Sequence, residues 1–137
     1  MAIAGMLLKA NEVRIVALAG NKANHSLIAQ KFNKLALNKN PNQDDVKVFI
    51  QAFKTYCSDN GIEKIIINRR SSSGKMAGGA GTFLIEGVIL AISSTIVEFV
   101  HSATIRATDK REASLKTEKP GTVDLDKAYD LAFEGLN

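Results

Sequence analysis

The stretch from Ile65 to Ser93 constrains the fold of this chain more than any other. Ile65, Ile66 and Ile67 are consecutive β-branched residues, the pattern of a strand covered on both faces. They lead into Asn68, Arg69, Arg70 and a run of serines at 71, 72 and 73. Glycines at 74, 78, 79 and 81 then break the strand pattern and permit geometry or close approach that a Cβ would block. From Thr82 to Ser93 the chain is apolar almost all round a helical wheel, with Glu86 its only charge. That predicts a helix buried in a core or against another subunit.

Around this unit the pattern alternates between strands and helices. Residues 2–8 and 12–19 read as two strands joined by a turn at Lys9, Ala10 and Asn11. Val13, Ile15 and Ala17 fall on one face of the second strand, and Arg14, Val16 and Leu18 on the other. From His25 onward a third strand is expected to end near Leu37, before a turn containing Pro41. A helix over about 43–59 follows, with Val46, Phe49, Ile50, Phe53 and Cys57 at helical spacing and Asp44 and Asp45 at its positive end. Residues 95–100 read as a fifth strand and 101–121 as polar and irregular. A last helix places Leu125, Ala128, Tyr129, Ala132 and Leu136 on one face. The order β-β-β-α-β-α-β-α predicts an α/β fold, a mixed five-stranded sheet with helices packed on it, in the order 3-2-1-4-5.

With 137 residues, 45% hydrophobic and 23% charged, the chain is expected to form one globular domain over 1–137 with a substantial core. Lys9, Glu12 and Arg14 end the first apolar run too early for a signal peptide, and no membrane partner is expected. The single Cys57 excludes an internal disulfide framework and fits a reducing cytoplasm. A net charge of +4 permits an anionic partner without demanding one.

The segment Gly74-Lys75-Met76-Ala77-Gly78-Gly79-Ala80, followed by Phe83 and Glu86, closely resembles the hallmark of a small bacterial family that carries only a domain-of-unknown-function label. Its members look like ribonuclease H-like domains, the class that includes RuvC-type Holliday-junction resolvases. The resemblance extends more loosely to Gly5, Lys9, Asn11 and Glu12. It implies a phosphodiester-cutting site in which carboxylates hold two divalent cations. Those acids sit on the first strand, at the end of the fourth, and on or before the last helix. Here the first strand offers Ala4, Gly5, Met6, Leu7 and Leu8, and the fourth ends in Asn68, Arg69 and Arg70. Only the last position is acidic, through Asp124 or Asp126. One carboxylate cannot hold two magnesium ions, so the expectation is a degenerate, non-cutting member with no metal and no cofactor.

Other chemistry reads as follows. Arg69 stands where a P-loop needs its first glycine and Met76 where it needs Ser or Thr, so Gly74-Lys75 is no P-loop. Leu84 occupies the third glycine position of a dinucleotide fingerprint beginning at Gly79. What remains is a generic anion or nucleic-acid site ahead of a helix: Arg69, Arg70, Ser73, Gly74, Lys75, Gly78 and Gly79. Against it stands a purely structural strand-to-helix turn. Glu86 is expected in a salt bridge with Lys75 or Arg70, and His25 and His101 at the surface or at strand ends. Cys57 is expected to be a small buried hydrophobe.

Three functions follow, in this order. The first is a non-catalytic module that binds DNA or RNA through Arg69, Arg70 and Lys75. The second is a homodimeric interaction or structural protein, suggested by the apolar helix 82–93 and by open sheet edges. The third is a metal-dependent nuclease with an atypical site of Glu86, Asp124 and Asp126, the one reading that calls for magnesium.

Overall fold

The computed structural model describes residues 2–69 and 79–137. Its centre is a mixed sheet of six strands. Strands β1 (Ala2–Lys9) and β2 (Glu12–Gly20) form an antiparallel hairpin in unbroken register from Ala2 opposite Ala19 to Lys9 opposite Glu12. The turn is reversed by Ala10, whose φ of 55° is left-handed. After helix α1 (Gln43–Asp59), β5 (Ile62–Asn68) joins β1 in parallel. Helix α2 (Ala80–Ile92) then leads to β6 (Ile96–Val100), parallel to β5 at the sheet edge.

The third expected strand is divided into β3 (His25–Ile28) and β4 (Lys34–Ala36), both antiparallel to β2. Ala29, at φ 54°, turns the chain out of β3, and β4 rejoins β2 nearer the hairpin. The order is thus β3-β2-β1-β5-β6 with β4 beside β2, one strand more than the sequence pattern indicated. The second difference lies in 101–121. Helix α3 (Ser102–Glu112) and a 3-10 turn (Ala113–Leu115) occupy much of a segment expected to be irregular. Among the residues of α3 only Thr108 is fully buried, so the helix leaves little periodic apolar trace in the sequence. Its flanks are tied by Lys22–Glu112 (3.7 Å) and Lys116–Asp109 (2.5 Å).

Period-two alternation in the central strands divides the core. Ala4, Met6, Leu8, Ile65 and Ile67 face α1 and α2, meeting Phe49, Phe53, Tyr56, Ile85 and Ile89. Ile3, Leu7 and Ile66 face helix α4 (Val123–Glu134), meeting Leu125, Ala128, Leu131 and Phe133. This is why three successive isoleucines are all buried: the strand has a helix on either side. Helix α1 runs as the periodicity predicts, with a capping box between Asn42 and Asp45. Helix α2 is less covered than expected. Thr82, Ile85 and Ile89 turn inward, while Leu84 and Leu90 are 41% and 50% exposed, because the helix buries one stripe against the described residues and leaves the other open to them. No described helix is long and apolar enough to cross a membrane.

Candidate functional site

Parallel strands β1 and β5 end side by side, and in open α/β sheets the crevice beyond such carboxyl ends is the usual ligand position. Lys9, Asn68 and Arg69 stand at this pole. The ladder between β1 and β5 stops at Met6 opposite Ile67, and the side chain of Asn68 extends it, its Oδ1 accepting from the Leu8 N–H at 2.9 Å. The residue at the fourth-strand position where the resemblance implies an acid is therefore an amide engaged with the backbone of β1.

Arg69 follows immediately. Its backbone N–H donates to the Val100 carbonyl (2.9 Å), and its guanidinium lies 3.8 Å from the ring centroid of Phe99. Stacking on an aromatic face holds the guanidinium in one plane while leaving in-plane N–H donors outward, and the residue is exposed. Helix α2 is anchored to the same pole. Thr82 Oγ1 donates to the Ala10 carbonyl at 2.7 Å, and Gly81 is so close to the hairpin turn that a Cβ would stand 3.2 Å from the Cβ of Asn11. Asn11 in turn donates through Nδ2 to the Leu37 carbonyl. The close approach expected of the loop glycines is thus made by Gly81. A Cβ on Gly79, the N-cap of α2, would meet nothing within 4 Å.

Helix α4 brings the acids. Thr122 caps it by accepting from the Leu125 N–H (3.1 Å), and Asp124 and Asp126 lie in its first turn. Asp124 is half-buried and turned to the pole, where Lys9 Nζ sits 3.4 Å from both carboxylate oxygens. Asp126 is exposed and makes no ion pair with the described residues. Glu86, half-buried on α2, likewise has none among them. Its expected partners Arg70 and Lys75, with Ser73, Gly74 and Gly78, lie outside the described residues.

A two-cation site of the nuclease type does not fit these residues. Leu7 and Leu8 are buried apolar side chains on β1, Asn68 is a neutral amide, and Asp124 is occupied by an ammonium. Among the described residues no three His, Cys, Asp or Glu side chains are grouped to hold an ion. Sequence reasoning missed Thr82, and it named Lys9 and Asn68 only through the resemblance, not as candidate site residues. Lys9 carried a signal as the basic residue of the expected hairpin turn.

A second polar cluster lies away from the pole around His25, which stands at a strand end as the first residue of β3. This residue is buried, its Nε2 2.7 Å from the Tyr129 hydroxyl and its Nδ1 3.1 Å from the Lys22 carbonyl. A carbonyl only accepts, so Nδ1 carries a proton and a neutral ring takes the tyrosine proton at Nε2. Tyr129 is raised above its ordinary pKa mainly by burial. Lys116 is raised too, because hydrogen bonds and charge from Asp109 and Asp130 outweigh the burial that opposes its charge. Cys57 sits partly buried against the α1 side of the core, its thiol pushed up to about 11 by burial. It borders a cleft of about 540 Å³ at the amino-terminal ends of β5 and β6, opposite the pole.

The architecture is ribonuclease H-like. It is similar to RuvC from Thermus thermophilus with a TM-score of 0.77 and 12% identity, over 97% of this chain and 92% of that one. A T. thermophilus RuvC structure in complex with Holliday junction substrate gives 0.72 and 13%, over 97% and 90%. Fowlpox virus resolvase with its substrate Holliday junction DNA gives 0.55 and 10%, over 98% and 96%. None of the curated proteins matches the chain. Residues 1–135 match the family described as "Protein of unknown function (DUF3010)", and the chain belongs to that family.

Proposed function

We propose that this protein binds nucleic acid at the pole beyond β1 and β5 and does not cut it. The observation that carries the reading is the charge of that pole. Lys9 and Arg69 stand at the ends of β1 and β5, Asn68 takes the fourth-strand position where a ribonuclease H-like nuclease needs a carboxylate, and Asp124 beside them is neutralised by Lys9. Such a surface attracts phosphates and lacks the means to hold catalytic metal. The resolvase structures with Holliday junctions make branched DNA the first substrate class to try. Arg70 and Lys75 follow Arg69 in the sequence and are cations to be tested with it.

The test is binding of labelled single-stranded, duplex and four-way-junction DNA and of RNA across a salt series, with magnesium present and product length checked afterwards. The expected result is binding that weakens with salt and leaves the substrate intact. Arg69→Ala, Arg70→Ala and Lys75→Ala should each lower affinity and the salt slope, by about 0.9 per lost duplex phosphate contact. Shortened product would overturn the non-cutting reading. Absence of binding at low salt would overturn the nucleic-acid reading altogether.

A second reading has its own observation. Leu84 and Leu90 on α2 and Ile96 on edge strand β6 are 41%, 50% and 63% exposed, a surface suited to a second copy. In this reading the protein is a homodimer, and sedimentation showing only monomer at micromolar concentration removes it. The lone, protonated Cys57 suits a reducing cytoplasm in either case.

A further inference from the structure

The ion pair between Lys9 and Asp124 carries more than neutralisation. Lys9 Nζ is 3.4 Å from both Oδ1 and Oδ2, so at most two of its three N–H groups are spent on the carboxylate and at least one is left. The lysine side chain is 60% exposed and that of Asp124 only 22%, so the ammonium lies on the solvent side of the acid. Glu12, opposite Lys9 in the hairpin, is turned to Arg14 (3.2 Å) and Lys34 (3.5 Å), which leaves Lys9 to Asp124. A bare carboxylate at this place would repel a phosphate. A nuclease of this architecture overcomes that repulsion with divalent ions, which these residues do not fit.

We infer that Lys9 is the site's own counter-cation: it caps Asp124 and offers its outward N–H to a backbone phosphodiester, so that binding needs no divalent ion. Asp124 then positions an ammonium and is not a metal ligand. This rests on the nucleic-acid reading above and adds a residue and a cation independence to it.

The experiment is fluorescence anisotropy with the DNA that the wild type binds best, at matched ionic strength, in magnesium or in EDTA. Wild-type, Lys9→Met and Asp124→Asn proteins are compared, each first shown to melt like the wild type. The wild type should bind equally in both buffers. Asp124→Asn, which frees the ammonium, should bind as tightly or more tightly. Lys9→Met exposes the carboxylate and should weaken binding about tenfold in EDTA, with part of the loss recovered in magnesium. Wild-type binding that disappears in EDTA and in Asp124→Asn would make Asp124 a metal ligand and overturn the inference while leaving the nucleic-acid reading intact. Unchanged binding by Lys9→Met would also overturn it alone. No wild-type binding under any condition would remove both.

Discussion

Replacing Gly5 by alanine probes how the sheet receives its last helix. A methyl there would stand 2.0 Å from the Ala128 carbonyl oxygen and 2.4 Å from the Ala132 nitrogen. Non-bonded heavy atoms rest at about 3.5–4.0 Å, so α4 would have to retreat by roughly 1 Å or more. It is not free to do so, since Ala128, Leu131, Ala132 and Phe133 are all packed on Ile3, Leu7 and Ile66. A gap of about 0.5–1 Å forfeits roughly a quarter to a half of each dispersion contact, and overpacking a filled core costs about 1–3 kcal/mol. The obstruction is helix backbone and cannot rotate aside, which puts the expected loss near the upper end, at about 3 kcal/mol. For a domain of this size that lowers Tm by roughly 10 °C. Urea unfolding followed by circular dichroism measures it, with an unchanged m-value confirming that the native state is the one affected. Gly87→Ala is the control: nothing lies within 4 Å of its Cβ position on α2, and the change should gain about 0.5–1 kcal/mol. A loss below about 1 kcal/mol in Gly5→Ala would refute the argument from backbone contact.

Tyr129→Phe removes the hydroxyl 2.7 Å from buried His25 Nε2 and should cost about 1–3 kcal/mol in urea unfolding; a neutral result would mean the pair contributes nothing. Cys57, pushed by burial from 9.0 to about 11, should react with iodoacetamide at pH 8 about 100-fold more slowly in the folded than in the urea-unfolded protein. The same shift sets a sign for pH. Between about 9 and 11 the unfolded chain releases the thiol proton that the folded one keeps, so stability present below pH 9 is lost as pH rises through this window. Tyr56, raised by burial and by Cys57, acts in the same direction from its ordinary 10.0 upward. Cys57→Ala should flatten the decline, and unfolding curves at pH 8, 9.5 and 10.5 measure it.

Much of the fold was legible because its signals are local. The unbroken run Ile65–Ile67, the capping box at Asn42 and Asp45, and the alternation of Val13, Ile15 and Ala17 each report burial through residues a few positions apart. Helix α3 was not legible, since it meets the core only through Thr108 and the partly buried Ile105, with ion pairs from Lys22 and Lys116 at its flanks. The division of the third strand depended on a left-handed alanine, Ala29, which composition does not mark. The burial of His25 at its strand end was not legible because its partner is 104 positions away on α4.

The same division holds for the site. The sequence by itself determined what the pole lacks: acids on the first strand and at the end of the β5 segment are missing whatever the fold does with them. It also determined Arg69 as a cation leaving a buried strand. Tertiary structure alone decided what the remaining groups do. Asn68 became a bridge between β1 and β5, Arg69 was laid on Phe99, and Asp124 was brought to Lys9 across 115 positions of chain. Local propensity reads hydrogen bonding and burial within a turn or a strand pair. The charge balance of a site is a sum over side chains that only the sheet order and the seating of α4 bring within a few ångströms of one another.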